Sequence, residues 1–71
     1  MTDTKALRFK IKQLGLKYKF IAEELGISVE TLRRKIDNKN AFNADEILGL
    51  SKLLKLNLRE KNDIFFNSNV D

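Results

Sequence analysis

The chain has no cysteine and no histidine, and its longest uninterrupted apolar stretches run to two or three residues. Without cysteine no disulfide framework can staple it, and the usual ligands of zinc and iron–sulfur centres are missing altogether. An oxygen-ligand site for a hard cation is the one metal chemistry left, and no segment has the ligand spacing of such a loop. The apolar stretches fall far below the roughly 20 residues that cross a bilayer. Met1 to Gln13 carries Lys5, Arg8, Lys10 and Lys12 around no apolar core, so it reads as neither signal peptide nor anchor, and a cytoplasmic protein is expected. The missing histidine also weakens any catalytic reading. Ser28, Ser51 and Ser68 lack their usual base, lysine being a rarer substitute, and there is no glycine-rich phosphate loop. No catalytic residue, metal, cofactor or small-molecule substrate is therefore expected.

What is present is 71 residues, 34% charged and 42% hydrophobic, enough for one small core. A domain of this size buries only roughly 60% of the surface its unfolded chain exposes, so it relies on well-packed helices. The charge is uneven. Residues 5–39 hold ten basic side chains (Lys5, Arg8, Lys10, Lys12, Lys17, Lys19, Arg33, Arg34, Lys35, Lys39) against four acidic ones (Glu23, Glu24, Glu30, Asp37), whereas residues 40–71 are close to balanced. Such a footprint faces an anion, most commonly nucleic acid, although a lysine-rich helix can also be only a solvated face.

Hydrophobic spacing predicts five helices and no strand. Leu7, Ile11 and Leu14 fall at i, i+4, i+7, with Asp3 or Thr4 as cap and Gly15 as stop. From about Tyr18, Ile21, Ala22 and Leu25 give a second stripe that Gly26 ends; Ser28 then caps a third helix carrying Val29, Leu32 and Ile36. Asp37 to Asn40 is a polar turn, and Phe42 a core plug. Asn43 with Glu46, and Asn57 with Glu60, are spaced as capping boxes for a fourth helix over about 44–55 and a fifth with Leu58, Ile64 and Phe65 on its apolar face. Leu7, Ile11, Leu14, Ile21, Leu25, Leu32, Ile36, Phe42, Ile47, Leu50 and Phe65 are expected to form most of the core. Gly49, inside the fourth helix, marks either a close helix contact or a tolerated cost of about 1 kcal/mol. Residues 1–66 form the domain and 67–71 a polar, flexible tail.

The informative segment is Tyr18 to Asp37, YKFIAEELGISVETLRRKID. A small residue (Ala22) lets two helices approach, Gly26 makes a tight turn, and Ile27 and Leu32 lock the second helix across the first, which is the recipe of a helix-turn-helix. Together with Leu14-Gly15-Leu16 before it and TLRRKIDNKNAF and DEILGLSKLL after it, this segment resembles the Cro/C1-type helix-turn-helix family of phage repressors over roughly residues 5–66. The resemblance implies an all-α, five-helix, lambda-repressor-like DNA-binding domain with the helix-turn-helix at about residues 18–37.

It also implies that the third helix enters the major groove with its first turn at base edges, while the start of the second helix and the loop after the third touch phosphates. On this chain the candidate base readers are then Val29, Glu30, Arg33 and Arg34, and the candidate phosphate contacts are Lys17, Tyr18, Lys19, Ser28, Lys39 and Asn40. Arg34 stands out, because arginine on guanine is the commonest specific contact. Plainer readings stand beside these: Val29 as core, Ser28 as a cap alone, Lys17 and Lys19 as solvated side chains. The chain departs from the family pattern at several places. Lys17 stands where a Ser, Thr or Asn cap is usual, Glu30 brings a negative charge toward phosphate, and Phe20 lies beside the inner stripe, where an exposed aromatic suits a protein contact better than DNA. Many members join the first helix to the end of the third through a buried Arg–Glu pair, where this chain has Ile11 and Ile36, so packing is expected in its place.

The expected function is that of a phage-type transcriptional regulator binding double-stranded operator DNA in a lysis–lysogeny switch, as a weak homodimer. The alternative keeps the fold and changes the partner: an antirepressor that docks on another phage repressor through Phe20 and its surroundings and blocks the DNA-reading surface.

Overall fold

The computed structural model describes residues 1–67, which form five helices and no strand: α1 Thr4–Leu14, α2 Tyr18–Leu25, α3 Val29–Ile36, α4 Ala44–Leu53 and α5 Leu58–Phe65. Side-chain caps start four of them. Asp3 accepts from the Ala6 N–H, Ser28 from Thr31, Asn43 from Glu46 and Asn57 from Glu60. At α4 and α5 the glutamate reaches back to the cap N–H, completing both predicted boxes. Only α2 begins without such a bond, at Lys17.

Four helices end in one way. A residue in the left-handed region turns the chain, its N–H and that of the next residue returning to carbonyls of the last turn. Glycine supplies that conformation after α1 and α2 (Gly15, φ 69°; Gly26, φ 71°). Asn38 (φ 63°) supplies it after α3 and Lys55 (φ 54°) after α4. Lys55 is why α4 stops at Leu53 and not at 55 as the spacing predicts: the turn begins one residue after the cap at Leu54.

α2 packs on both α3 and α4, and α1 on α3 and α5, around a core of Leu7, Ile11, Ile21, Ala22, Leu32, Ile36, Phe42, Leu50, Leu54, Ile64 and Phe65. Phe42 meets Phe65 edge to face, ring centres 5.5 Å apart, so the loop aromatic plugs the core as expected. Leu25 and Ile47 are half-buried against this core. Two expectations are corrected. Leu14 is 41% exposed, because α1 ends there and Leu16, beyond the Gly15 turn, packs against the core instead. Leu58 is 70% exposed: it is the first residue of α5, and the inner face of that helix is carried by Ile64 and Phe65. The Cα radius of gyration, 10.9 Å, matches the roughly 11 Å expected of one folded unit of this length.

Gly49 is a close contact. A Cβ there would lie 2.9 Å from Leu25 Cδ2, so the missing side chain sets how closely α4 approaches α2. α1 and the end of α3 meet through buried Ile11 and Ile36, and beside them Arg8 on α1 pairs with Asp37 at the surface, so an ion pair supplements the expected packing. Ahead of α1, Thr2 is buried and gripped twice by the Asn38 side chain, whose Oδ1 accepts from the Thr2 N–H (2.9 Å) while its Nδ2 donates to the Thr2 carbonyl (2.6 Å). The Thr4 hydroxyl donates to the Ile36 carbonyl (2.6 Å), and the Asp3 N–H to the Ile64 carbonyl (2.6 Å). Of the predicted tail, Asn67 is half-buried and donates to Asp3 Oδ2 (3.4 Å); positions 68–71 lie outside the described residues.

Candidate functional site

α3 owes its one-sided character to spacing. Leu32 and Ile36 are fully buried, which turns Glu30, Arg33 and Arg34 outward, all exposed, and leaves Val29 half-buried against the core. Val29 therefore combines both of its readings, part core and part surface. Ser28, exposed, accepts from the Thr31 N–H (3.1 Å), and its hydroxyl donates to Thr31 Oγ1 (2.9 Å); its capping role is present in the geometry.

The start of α2 lies against this face at one point. The Arg33 guanidinium carbon sits 5.9 Å from the centre of the half-buried Tyr18 ring, a cation–π contact that holds the arginine over α2. Sequence spacing did not reveal it, since the crossing of α2 and α3 decides which side chains meet. Lys17 and Lys19 flank Tyr18 and are exposed; Phe20, the next residue, is 45% exposed and borders a shallow recess with Gly15, Leu16 and Glu23. At the other end of α3, the N–H groups of Lys39 and Asn40 return to the Arg34 carbonyl (2.9 and 3.4 Å), so the exposed loop that carries both is tied to the helix.

Ion pairing sorts the basic residues. Lys35 is taken by Glu46 at 2.5 Å, both side chains nearly buried, which fastens α3 to α4. Burial would raise the Glu46 pKa, yet the Lys35 ammonium and the Asn43 N–H together hold it below its ordinary value. Lys10 is taken by Glu60 at 3.2 Å, and the Asn57 N–H, followed by Lys10, lowers the Glu60 pKa. Arg8 is taken by Asp37. Among the described residues, Lys17, Lys19, Arg33, Arg34 and Lys39 have no ion-pair partner, and neither has Glu30 despite arginines three and four residues on. The basic half of the sequence is thus partly neutralised within the fold, and the positive charge left over lies at Lys5 and Lys12 on α1 and, in larger part, at the start of α2, along α3 and just after it.

Among the described residues no group of three or more carboxylates is placed to hold a metal ion, and no helix is long and apolar enough to cross a membrane. No family model matches the chain, and neither a curated protein nor a solved structure matches it.

Proposed function

We propose that the chain is a phage-type transcriptional regulator that binds operator DNA through a helix-turn-helix made of α2 and α3, with α3 in the major groove. The observation that carries this reading is the face of α3: Glu30, Arg33 and Arg34 stand exposed and unpaired beside the uncapped, lysine-flanked start of α2. An uncapped helix start leaves its N–H groups to a phosphate oxygen, which gives the departure at Lys17 a use. In this reading Arg33, Arg34, Glu30 and Val29 face base edges, while Lys17, Tyr18, Lys19, Ser28, Lys39 and Asn40 position the backbone. One short helix reads few base pairs, so the protein acts as a weak homodimer on two half-sites. The test is titration of DNA from the neighbouring intergenic region against random DNA at two salt concentrations. The reading requires preferential binding to one segment, with affinity for both falling as salt rises; equal affinity for every duplex overturns it.

The exposure of Phe20 favours a second reading, an antirepressor that binds a partner repressor and masks its DNA-reading surface. A desolvated aromatic anchor commonly contributes about 2 kcal/mol or more. Phe20→Ala is then expected to lose repressor binding with circular dichroism unchanged, whereas in the DNA reading it leaves operator affinity nearly intact.

A further inference from the structure

At the corner where α4 gives way to α5 lies an open recess of about 320 Å³ that the proposed DNA-reading surface does not use. Its apolar wall includes Leu48 and Leu58, 49% and 70% exposed, together with half-buried Leu56. Its rim holds Lys52, Lys55 and Lys61 and no carboxylate, and among the described residues none of the three lysines has an ion-pair partner. Beneath the rim, the Ser51 hydroxyl is buried without a hydrogen-bond partner.

Lys55 is the informative residue. It occupies the left-handed position that ends α4, where an L side chain is strained and glycine is the ordinary choice. Gly15 and Gly26 fill the equivalent places after α1 and α2. Here the fold accepts strain and keeps a cation on the recess. Strain retained at a recess, exposed leucines and uncompensated charge of one sign coincide on this face.

We propose that this recess is a docking site for an acidic segment of a partner protein, which inserts an apolar side chain between Leu48 and Leu58 and sets its carboxylates against Lys52, Lys55 and Lys61. Charge complementarity selects the occupant. A second copy bringing the same face would oppose lysines with lysines, a contact that costs free energy wherever the charges are desolvated. The site is built from other residues than the α2–α3 face and stands or falls independently of DNA binding.

The test uses the full chain and a fluorescent amphipathic peptide with leucines on one helical face and glutamates on its flanks, compared with the same peptide carrying lysines in place of the glutamates. The expected result is saturable binding of the glutamate peptide alone, weakened by salt, with amide shift changes confined to α4, α5 and the turn between them. Leu58→Ser changes an exposed residue and is expected to weaken binding at least about tenfold. Lys55→Gly separates docking from folding, since it relieves strain and removes the cation together; the variant is expected to unfold at higher denaturant while binding the peptide severalfold more weakly. Equal binding of both peptides, full affinity in Lys55→Gly, or shift changes on α2 and α3 overturns the proposal. So does a concentration-dependent dimer that Leu58→Ser abolishes, which would assign the face to a second copy.

Discussion

Arg33 and Arg34 are adjacent in sequence and alike in chemistry, yet the fold treats them differently. The Tyr18 ring restrains Arg33, whereas Arg34 is exposed and forms no ion pair among the described residues. If α3 reads DNA, Arg34→Ala is expected to weaken the specific site by about 1–3 kcal/mol and to leave random DNA nearly unchanged. In the same reading Lys19 contacts a phosphate, so Lys19→Ala is expected to lose one counterion release, to weaken both duplexes alike and to lower the salt slope by about one. Equal losses on every DNA from both variants would make Arg34 a phosphate clamp. Lys55 gives a prediction free of any function. A left-handed lysine is strained by about 1–2 kcal/mol, and glycine returns part of that gain through the entropy of the unfolded chain. Lys55→Gly is expected to raise unfolding stability by about 0.5–1 kcal/mol, read as a higher denaturant midpoint with unchanged slope.

At the level of helices, local chemistry was legible because it acts within one turn. The caps at Ser28, Asn43 and Asn57 and the stops at Gly15 and Gly26 follow from residue type and spacing and stand where the sequence puts them, while of the two caps open to α1, Asp3 or Thr4, it is Asp3 that accepts the bond. The stop at Lys55 was not legible, since a lysine carries no signal for a left-handed turn. Leu14 and Leu58 lie on apolar faces by spacing but at helix ends, where the neighbouring helix no longer covers them. The candidate site divides in the same way. That Glu30, Arg33 and Arg34 point away from Leu32 and Ile36 follows from the helical period, but the meeting of Tyr18 with Arg33 depends on how two helices cross. Gly49 shows what that crossing requires. Alanine gains about 1 kcal/mol of helix propensity there, while its Cβ pushes the movable end of the half-buried Leu25 side chain. The two terms oppose, so Gly49→Ala is expected to change stability by less than about 1 kcal/mol. Gly49→Leu must drive α4 away from α2 and is expected to lose about 1–3 kcal/mol. A similar loss in both variants would mean that the contact cannot yield even by the width of a methyl group.

Across the whole molecule, three ion pairs tie segments far apart in sequence: Arg8 to Asp37, Lys10 to Glu60 and Lys35 to Glu46. No spacing rule reaches across such separations, which is why the charge asymmetry of the sequence overstates the free positive charge of the folded surface. The pairs of Glu60 and Glu46 also govern the response to acid. Glu46 and Glu60 are held below their ordinary value when folded, so around and below that value the unfolded chain binds more protons than the native one. The stability they contribute is complete above the ordinary glutamate value of 4.5 and is lost as pH falls through the lowered folded values. Each glutamate serves a lysine and the cap of its own helix; Glu46 differs in being buried, so its partner Lys35 is also nearly buried. Glu46→Gln keeps the shape and can still accept from the Asn43 N–H, but it leaves the nearly buried Lys35 ammonium without its counter-charge. At neutral pH the variant is expected to lose about 1–3 kcal/mol relative to the native sequence. As the pH of the unfolding titration is lowered below the depressed folded value of Glu46, the native carboxylate also takes up its proton and the two proteins are expected to converge. A difference of the same size at both pH values would show that Glu46 holds α3 to α4 through shape and hydrogen bonding, with its charge contributing nothing.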